Sequence, residues 1–194
     1  MQLCEYEERF EQQVANYQLS EEQLNFTGAP SECIALAKED ADRHSILAME
    51  DDQLVTFFVL HENEGVEPYS DHANAILLRA FSTDYNQQGK GYAKQSLLLL
   101  PDLVREQFPH INEIVLAVNK RNIAAQSLYK NCGYVDEGIR RMGEKGELII
   151  MSYFPRNVAD ESAILQIVPS CFRVDEFTSE DVVANLDAEH FGAD

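Results

Sequence analysis

The chain has 194 residues, and its 34 acidic and 15 basic side chains give a formal net charge of −19. This length is typical of one domain with an appendage, and the charge argues against nucleic acid as a partner, because binding its phosphates depends on Lys and Arg. The charged amino terminus is unlike a signal peptide, and the longest apolar run, residues 54–60, is far shorter than the ~18 residues of a membrane-spanning helix, so we expect a cytoplasmic protein with no membrane or nucleic-acid partner.

Helices precede a β-hairpin in the first third of the chain. Apolar residues at helical spacing and polar helix-opening residues predict helices over 7–18, 20–24 and 29–40. The period then changes to that of strands. β-rich runs over 44–50 and 53–61, separated by two Asp residues, predict two strands joined by a tight turn.

Strands then alternate with helices along the chain. After a loop, a mostly apolar strand is predicted over 75–83 and is expected to be buried on both faces. The remaining elements are a glycine loop, a helix over 91–107 that Pro101 should bend or break, a strand over 112–118, a helix over 121–133 ended by Gly133, and a hairpin over 134–154. This order predicts an α/β fold (an α+β mixed sheet) with helices on the faces of one sheet.

Two units are expected along the chain. Residues 1–154 should form the domain, and residues 155–194 an acidic carboxy-terminal extension. The run over 163–174 is too apolar for plain disorder, so the extension is expected to be at least partly ordered.

The segment DYNQQGKGYAKQSLLLL (84–100) places two glycines, Gly89 and Gly91, between a strand and a helix. Backbone N–H groups at a helix amino terminus bind anions when no side chain covers them, so a phosphate or pyrophosphate is expected. A dinucleotide fingerprint would need a third glycine where Lys94 stands, and an NTPase loop would need Ser or Thr after Lys90, where Gly91 stands.

A second segment, VNKRNIAAQSLYKNCGY (118–134), carries a polar stripe. Asn122, Gln126 and Tyr129 share one helical face at i, i+4 and i+7. A stripe of this kind at the end of a strand–helix unit is what an active-site wall needs. A half-exposed amphipathic helix with an ordinary Tyr would give the same pattern.

Together these segments resemble the GCN5-related N-acetyltransferase (GNAT) family. In QGKGYA, Gln88, Gly91 and Ala93 match its Gln/Arg-x-x-Gly-x-Gly/Ala signature, and the segment 118–134 matches its Asn…Ala…Leu-Tyr…Gly-Phe/Tyr segment. The resemblance covers residues 1–154. It implies a GNAT-like acyl-CoA N-acyltransferase fold, in which helices flank a central mixed β-sheet with a splayed central strand pair.

The resemblance also implies an N-acetyltransferase that moves the acetyl group of its cosubstrate acetyl-CoA directly to a primary amine. Backbone N–H groups of the loop and first helical turn would bind the pyrophosphate: Gln88, Gly89, Lys90, Gly91, Tyr92, Ala93 and Lys94. The splayed strand would bind the pantetheine arm and polarise the thioester carbonyl through Phe81, Ser82 and Thr83. Asn122 would contact the cofactor or brace the splay. Tyr129 would be catalytic, protonating the departing thiolate.

The sequence does not identify the acceptor amine. Arg79 stands where polyamine-acetylating relatives tend to carry an acid, which weakens a polyamine without excluding it; an aminoglycoside-like amine, an amino acid and a protein amine also remain. An Arg at this place could pair with a substrate carboxylate or phosphate, or with one of the loop acids. The candidates for a general base are four residues of the loop before the central strand: Glu64, Glu67, Asp71 and His72. No metal is expected, since the four cysteines lie far apart, and a homodimer is compatible with the sequence.

One alternative from another class is an acyl-CoA-binding sensor or scaffold that acts through its acidic extension with little catalysis. The presence of Tyr129 argues against it, because a sensor needs only the glycine loop.

Overall fold

The computed structural model describes residues 1–155. Within them, seven strands form one sheet of order β1-β2-β3-β4-β5-β7-β6. The strands are β1 (Gln2–Glu5), β2 (Arg43–Glu50), β3 (Gln53–His61), β4 (Ala75–Thr83), β5 (Glu113–Asn119), β6 (Val135–Gly143) and β7 (Gly146–Tyr153). Only the pairing of β4 with β5 is parallel, so the sheet is mixed, as predicted.

Helices cover both faces of the sheet. They are α1 (Glu11–Asn16), α2 (Glu21–Leu24), α3 (Pro30–Glu39), α4 (Tyr92–Gln107) and α5 (Ile123–Asn131). Helices α4 and α5 pack on one face through residues such as Leu97, Leu100 and Tyr129. On the other face, α1 and α3 pack through Val14 and Ile34. The core therefore lies in two layers, one on each side of the central strands.

The predicted α/β fold class is confirmed, and most elements lie within a few residues of their predicted bounds. Asp51 and Asp52 form the predicted tight turn, with φ of 47° and 62°. Gly133 follows α5 with φ of 92°, as the predicted end of that helix requires. Pro101 does not break α4, which runs without interruption through it.

The predicted amino-terminal helix over 7–18 is shorter than expected. A single 3₁₀ turn, Glu8–Phe10, leads into the six residues of α1. The preceding strand β1 was not predicted from the sequence. It has four residues, of which only Leu3 and Cys4 are half-buried, and it exists through long-range pairing with β2 at the edge of the sheet.

The expectation that β4 is buried on both faces is correct for its first half and wrong for its second. Ala75 through Leu78 are buried, whereas Arg79 is exposed and Phe81 is half-buried. The reason is topological, because β4 is paired on both edges only in its first half. A strand with one free edge and an open face need not be apolar throughout.

The predicted extension over 155–194 lies, beyond Pro155, outside the described residues, so its order and the boundary at residue 154 stay predictions. No helix in the described part of the chain is both long enough and apolar enough to cross a membrane.

Candidate active site

The central strands β4 and β5 part halfway along their length. Their parallel pairing runs from Ala75 with Glu113 to Leu78 with Leu116 and then ends. Beyond this point β4 pairs only with β3, and β5 only with β7. The gap leaves backbone N–H and C=O groups along one edge of β4 without a strand partner. Such an edge can bind an extended ligand by the same hydrogen bonds that add a strand to a sheet.

A β-bulge lies at the gap. Val59 of β3 pairs with Arg79, and Phe57 with Ser82, so Ala80 and Phe81 both lie opposite the single residue between them on β3. Ala80 has φ of 52°, in the left-handed region that residues other than glycine seldom adopt. The bulge therefore turns the end of β4 away from β5, and it corresponds to the splay that the family resemblance implied.

The glycine loop leads from β4 into an open helix end. Gly89 and Gly91 have φ of 74° and 84°, and Gly91 is the N-cap of α4 without any side-chain cap. The first helical bond joins Gln95 N to Gly91 O, 3.1 Å apart, so the N–H groups before Gln95 have no partner within the helix. The first turn carries no acid, and Lys94 lies in it. This arrangement is an anion cradle.

The space over the loop is open. A Cβ at Gly89 would meet nothing within 4 Å, and one at Gly91 would meet only the Gln95 Nε2 atom at 4.0 Å. The loop residues Gln88 through Gly91 are exposed. A ligand phosphate can therefore approach the backbone, and the residues present fit a pyrophosphate.

Asp84, which sequence analysis missed, fixes the base of the loop. Its buried carboxylate accepts hydrogen bonds from Asn86 N and Gln18 N, both at 2.8 Å. Above it, Lys90 Nζ donates to Gln87 Oε1 at 2.7 Å. An Asp directly after a strand often accepts from the backbone N–H two residues on, as in an Asx turn, and it could have indicated this role.

The start of α5 is closed by its own side chains. Asn122 Oδ1 accepts from Ala125 N at 3.0 Å, and Gln126 Nε2 donates to Lys120 O at 2.8 Å. The structure places Asn122, Gln126 and Tyr129 on the side of α5 that faces the protein, as their spacing predicted. Asn122 thus braces the helix that follows β5.

Tyr129 lies behind the gap, in an aromatic cluster. Its ring is 8% exposed, and its centroid lies 6.1 Å from that of Phe81 at the bulge and 5.7 Å from that of Tyr134. Burial raises the pKa of the Tyr129 phenol well above its usual range. The phenol is protonated at neutral pH, and burial makes it a weaker acid than an exposed tyrosine. Burial likewise raises the pKa of the nearby Cys132 thiol, which disfavours a covalent route through it.

A cavity of about 680 Å³ opens on the face that α3 covers. Its floor is the parted strands, including Arg79, Ala80 and Ala117, and its walls come from α3, the segment before α3 and the β6–β7 turn. Lys145 of that turn donates from Nζ to Leu24 O at 3.0 Å, joining two walls. The cavity and the cluster around Tyr129 thus reach the same gap from opposite faces of the sheet.

The four loop residues expected to supply a general base lie elsewhere. Glu64, Glu67, Asp71 and His72 line a separate cavity of about 410 Å³ beside Ala75, at the start of β4. The gap begins four residues further on, about 13 Å along the strand. None of the four lines the larger cavity at the gap, although Tyr69 of the same loop does, beside Arg79. A role for one of them as general base stays a prediction.

The two faces of the gap define the class of protein: an enzyme that brings a phosphate-bearing donor and a second substrate together at one break in a sheet. Among residues 1–155, no group of three or more His, Cys, Asp or Glu side chains is placed to hold a metal ion.

Comparisons with known proteins agree with this class. Residues 5–134 match a family model described as the acetyltransferase (GNAT) family. The uncharacterized N-acetyltransferase YbbJ of Bacillus subtilis (strain 168) is 39% identical over 143 residues, which is 73% of this chain and 89% of that protein. The chain therefore belongs to the acetyltransferase (GNAT) family, and it is an acetyl-CoA-dependent N-acetyltransferase.

Solved structures share the fold. The aminoglycoside acetyltransferase AAC(6')-Ib in complex with coenzyme A is similar with a TM-score of 0.63 at 14% identity, over 78% of this chain and 93% of that one. The spermidine N-acetyltransferase of Vibrio cholerae in complex with CoA and spermine gives 0.61 at 16% identity, over 79% and 95%. The ribosomal-protein-S5-alanine acetyltransferase of Vibrio fischeri gives 0.61 at 12% identity, over 80% and 93%. No comparison supports the alternative of a sensor or scaffold.

Proposed function

We propose that this enzyme transfers the acetyl group of acetyl-CoA directly to a primary amine while both substrates are bound. The observation that supports this proposal most strongly is the separation of β4 from β5. It leaves a gap in the sheet that can be reached from both faces. Proteins similar in fold are named for an aminoglycoside, for spermidine and for a ribosomal protein. These names support an amine acceptor, which is either a small molecule or a protein.

The donor side follows from the open backbone groups. We assign the pyrophosphate to the N–H groups from Gln88 to Lys94, and the pantetheine arm to the free edge of β4 at Phe81, Ser82 and Thr83. Asn122 contacts the donor or braces the splay. Acetyl-CoA supplies the acetyl group as a thioester. A backbone N–H of β4 that donates to its carbonyl stabilises the charge developing on that oxygen during attack.

The leaving sulfur needs a proton, and Tyr129 is our candidate donor. The support is its position, because its ring packs against Phe81 at the bulge and its phenol carries a proton at neutral pH. A positioned acid of this kind contributes roughly 10²–10⁴-fold at most to such a step, and less here, since a thiolate already leaves readily. The acceptor, for its part, must arrive as the free amine, because an ammonium has no lone pair.

The test is release of free thiol from acetyl-CoA by the full chain. The acceptor panel contains spermidine, an aminoglycoside, the amino acids and a peptide with a free amino terminus. We expect amine-dependent release with at least one acceptor and formation of the matching N-acetyl product. If coenzyme A binds in calorimetry but no amine is acetylated, the proposed direct transfer to amines is wrong.

A further inference from the structure

The cavity on the α3 face lacks the negative excess of the chain as a whole. It is lined by three cations, Arg43, Arg79 and Lys145, and by two carboxylates, Glu32 and Glu144, whereas the chain as a whole carries −19. Both carboxylates belong to exposed residues, as do Arg79 and Lys145. A general affinity for polycations would place the acids at the floor, where Arg79 lies.

Arg79 is held by a buried histidine. Its Nη1 lies 3.1 Å from His61 Nδ1, and His61 Nε2 lies 3.3 Å from Asp40 Oδ2. Burial, assisted by the nearby arginines, lowers the pKa of His61, so the ring is neutral at pH 7. The neutral ring accepts at Nδ1 from Arg79 Nη1, and its Nε2 lies near Asp40 without hydrogen-bond geometry. The hydrogen bond between Arg79 and His61 thus fixes the direction of one guanidinium.

The backbone also encloses His61. A Cβ at Gly65 would lie 2.2 Å from His61 Nδ1, so the loop packs directly on the ring and leaves the histidine little freedom. His61 itself is 5% exposed. An orienting residue for Arg79 should be immobile in this way.

Arg79 differs from its neighbour Arg43 in its partners. Arg43 Nε donates to Asp40 Oδ2 at 2.8 Å, which satisfies its charge within the protein. Among the described residues, the ion pairs include none between Arg79 and a carboxylate; its recorded side-chain partner is the neutral His61. A guanidinium has five donors in a planar fork that matches a carboxylate or phosphate. The fork of Arg79 is therefore available to an anion in the cavity.

We propose that the acceptor is an amine whose molecule also carries a carboxylate or phosphate, and that Arg79 binds this oxyanion. The inference rests on the proposed function and names its substrate class. Arg79 immediately precedes the bulge at the gap, so an oxyanion on its fork holds the amine of a small molecule beside the point of transfer. A polyamine would instead leave Arg79 facing another cation, which costs affinity.

Matched acceptors test this inference in the full chain. Each of the twenty amino acids is compared with its carboxamide, O-phosphoethanolamine is compared with ethanolamine, and spermidine is included. Thiol release from acetyl-CoA gives kcat/KM for each. We expect the best acidic acceptor to exceed its neutral partner by about tenfold or more, as a charge-assisted hydrogen bond allows. Comparing the amino acids with O-phosphoethanolamine shows whether a carboxylate or a phosphate is preferred.

Variants then assign the preference to Arg79. Arg79→Met should remove the preference for the acidic acceptor over its neutral partner, while the affinity for coenzyme A, which is bound elsewhere, stays unchanged. Arg79→Lys should restore part of the preference. His61 is a positioning residue, so His61→Asn should reduce the ratio of acidic to neutral rates; melting curves confirm that each variant is folded.

The outcomes separate the inference from the proposed function. Equal rates within pairs, or a preference for spermidine, overturn the inference and leave acetyl transfer intact. If no amine is acetylated, the proposed function fails, and calorimetry with N-acetylated amino acids and N-acetyl-O-phosphoethanolamine in the presence of coenzyme A decides the inference. Binding that Arg79→Met abolishes supports the anion subsite, and absence of binding to the wild type overturns it.

Discussion

Helices α4 and α5 follow the two strands that part at the gap, and their amino-terminal ends are built in opposite ways. The N-cap of α4 is Gly91, in a left-handed conformation and without a side-chain cap. The N-cap of α5 is Asn122, whose side chain accepts from Ala125 N at 3.0 Å. Every helix has free N–H groups in its first turn, and here one end is left open while the other is closed by the protein itself.

This difference indicates how the two helices divide the work. An open end offers backbone donors and the positive end of a helix dipole to an anion. At the capped end of α5, part of the hydrogen-bonding capacity is already used within the protein. Helix α5 therefore contributes through a side chain, and Tyr129 contacts Phe81 at the bulge. Changing either end, or the tyrosine, tests this division.

The largest effect is expected at the open end. In Gly91→Val, the side chain enters the space over the cradle and the left-handed backbone is strained. We expect the affinity for coenzyme A, measured by calorimetry, to fall by about 100-fold or more, which corresponds to about 2.7 kcal/mol.

Gly138→Val is the matched control. Gly138 has φ of 86° and an equally open surrounding, but it lies in β6, away from the loop. It carries the same backbone strain and should leave coenzyme A binding unchanged. Equal affinities for a folded Gly91→Val variant and the control would show that the loop is a plain turn.

Removing the Tyr129 hydroxyl should have the next largest effect. Tyr129→Phe should lower kcat and kcat/KM by about tenfold or more, with little change in affinity for acetyl-CoA, because the lost interaction forms only in the transition state. The measurement is steady-state thiol release with a confirmed acceptor.

Tyr134→Phe makes the same chemical change within the same aromatic cluster. The Tyr134 hydroxyl is buried and has no hydrogen-bond partner among the described residues. Its removal should leave kcat unchanged and the melting temperature equal or higher, since no bond is lost.

Normal turnover by Tyr129→Phe would assign Tyr129 to packing alone, and a collapse of cofactor affinity at constant kcat would assign it to binding.

Both helix ends could be predicted from the sequence, because each depends on residues that are close together along the chain. The spacing of Gly89 and Gly91 before an apolar helical stripe predicts the cradle, and the spacing of Asn122 and Tyr129 predicts their common face. Each pattern spans fewer than about 20 residues, the range over which a helix or turn sets its own geometry.

The setting of Arg79 on the acceptor side could not be predicted in this way. Arg79, His61 and Asp40 come from three separate segments, and two strand pairings bring them together: that of β3 with β4, and that of β3 with β2, which follows Asp40. The order of residues along the chain likewise does not decide which cavity the loop acids line. They lie beside Ala75, about 13 Å along β4 from the start of the gap, whereas Tyr69 of the same loop lines the cavity at the gap.

The smallest effect is expected at the closed end, where two variants separate two roles of Asn122. Asn122→Ala removes the cap and should lower the free energy of unfolding by about 1 kcal/mol. Asn122→Ser keeps an N-cap oxygen but loses the amide Nδ2, so stability should be retained. If Nδ2 also donates to the cofactor, the serine variant should bind coenzyme A about three- to tenfold more weakly, the range for one hydrogen bond. Denaturant unfolding and calorimetry measure the two quantities on the same samples. Unchanged affinity in the serine variant would restrict Asn122 to bracing α5, and the contrast between an open donor-binding end and a closed end would then be complete.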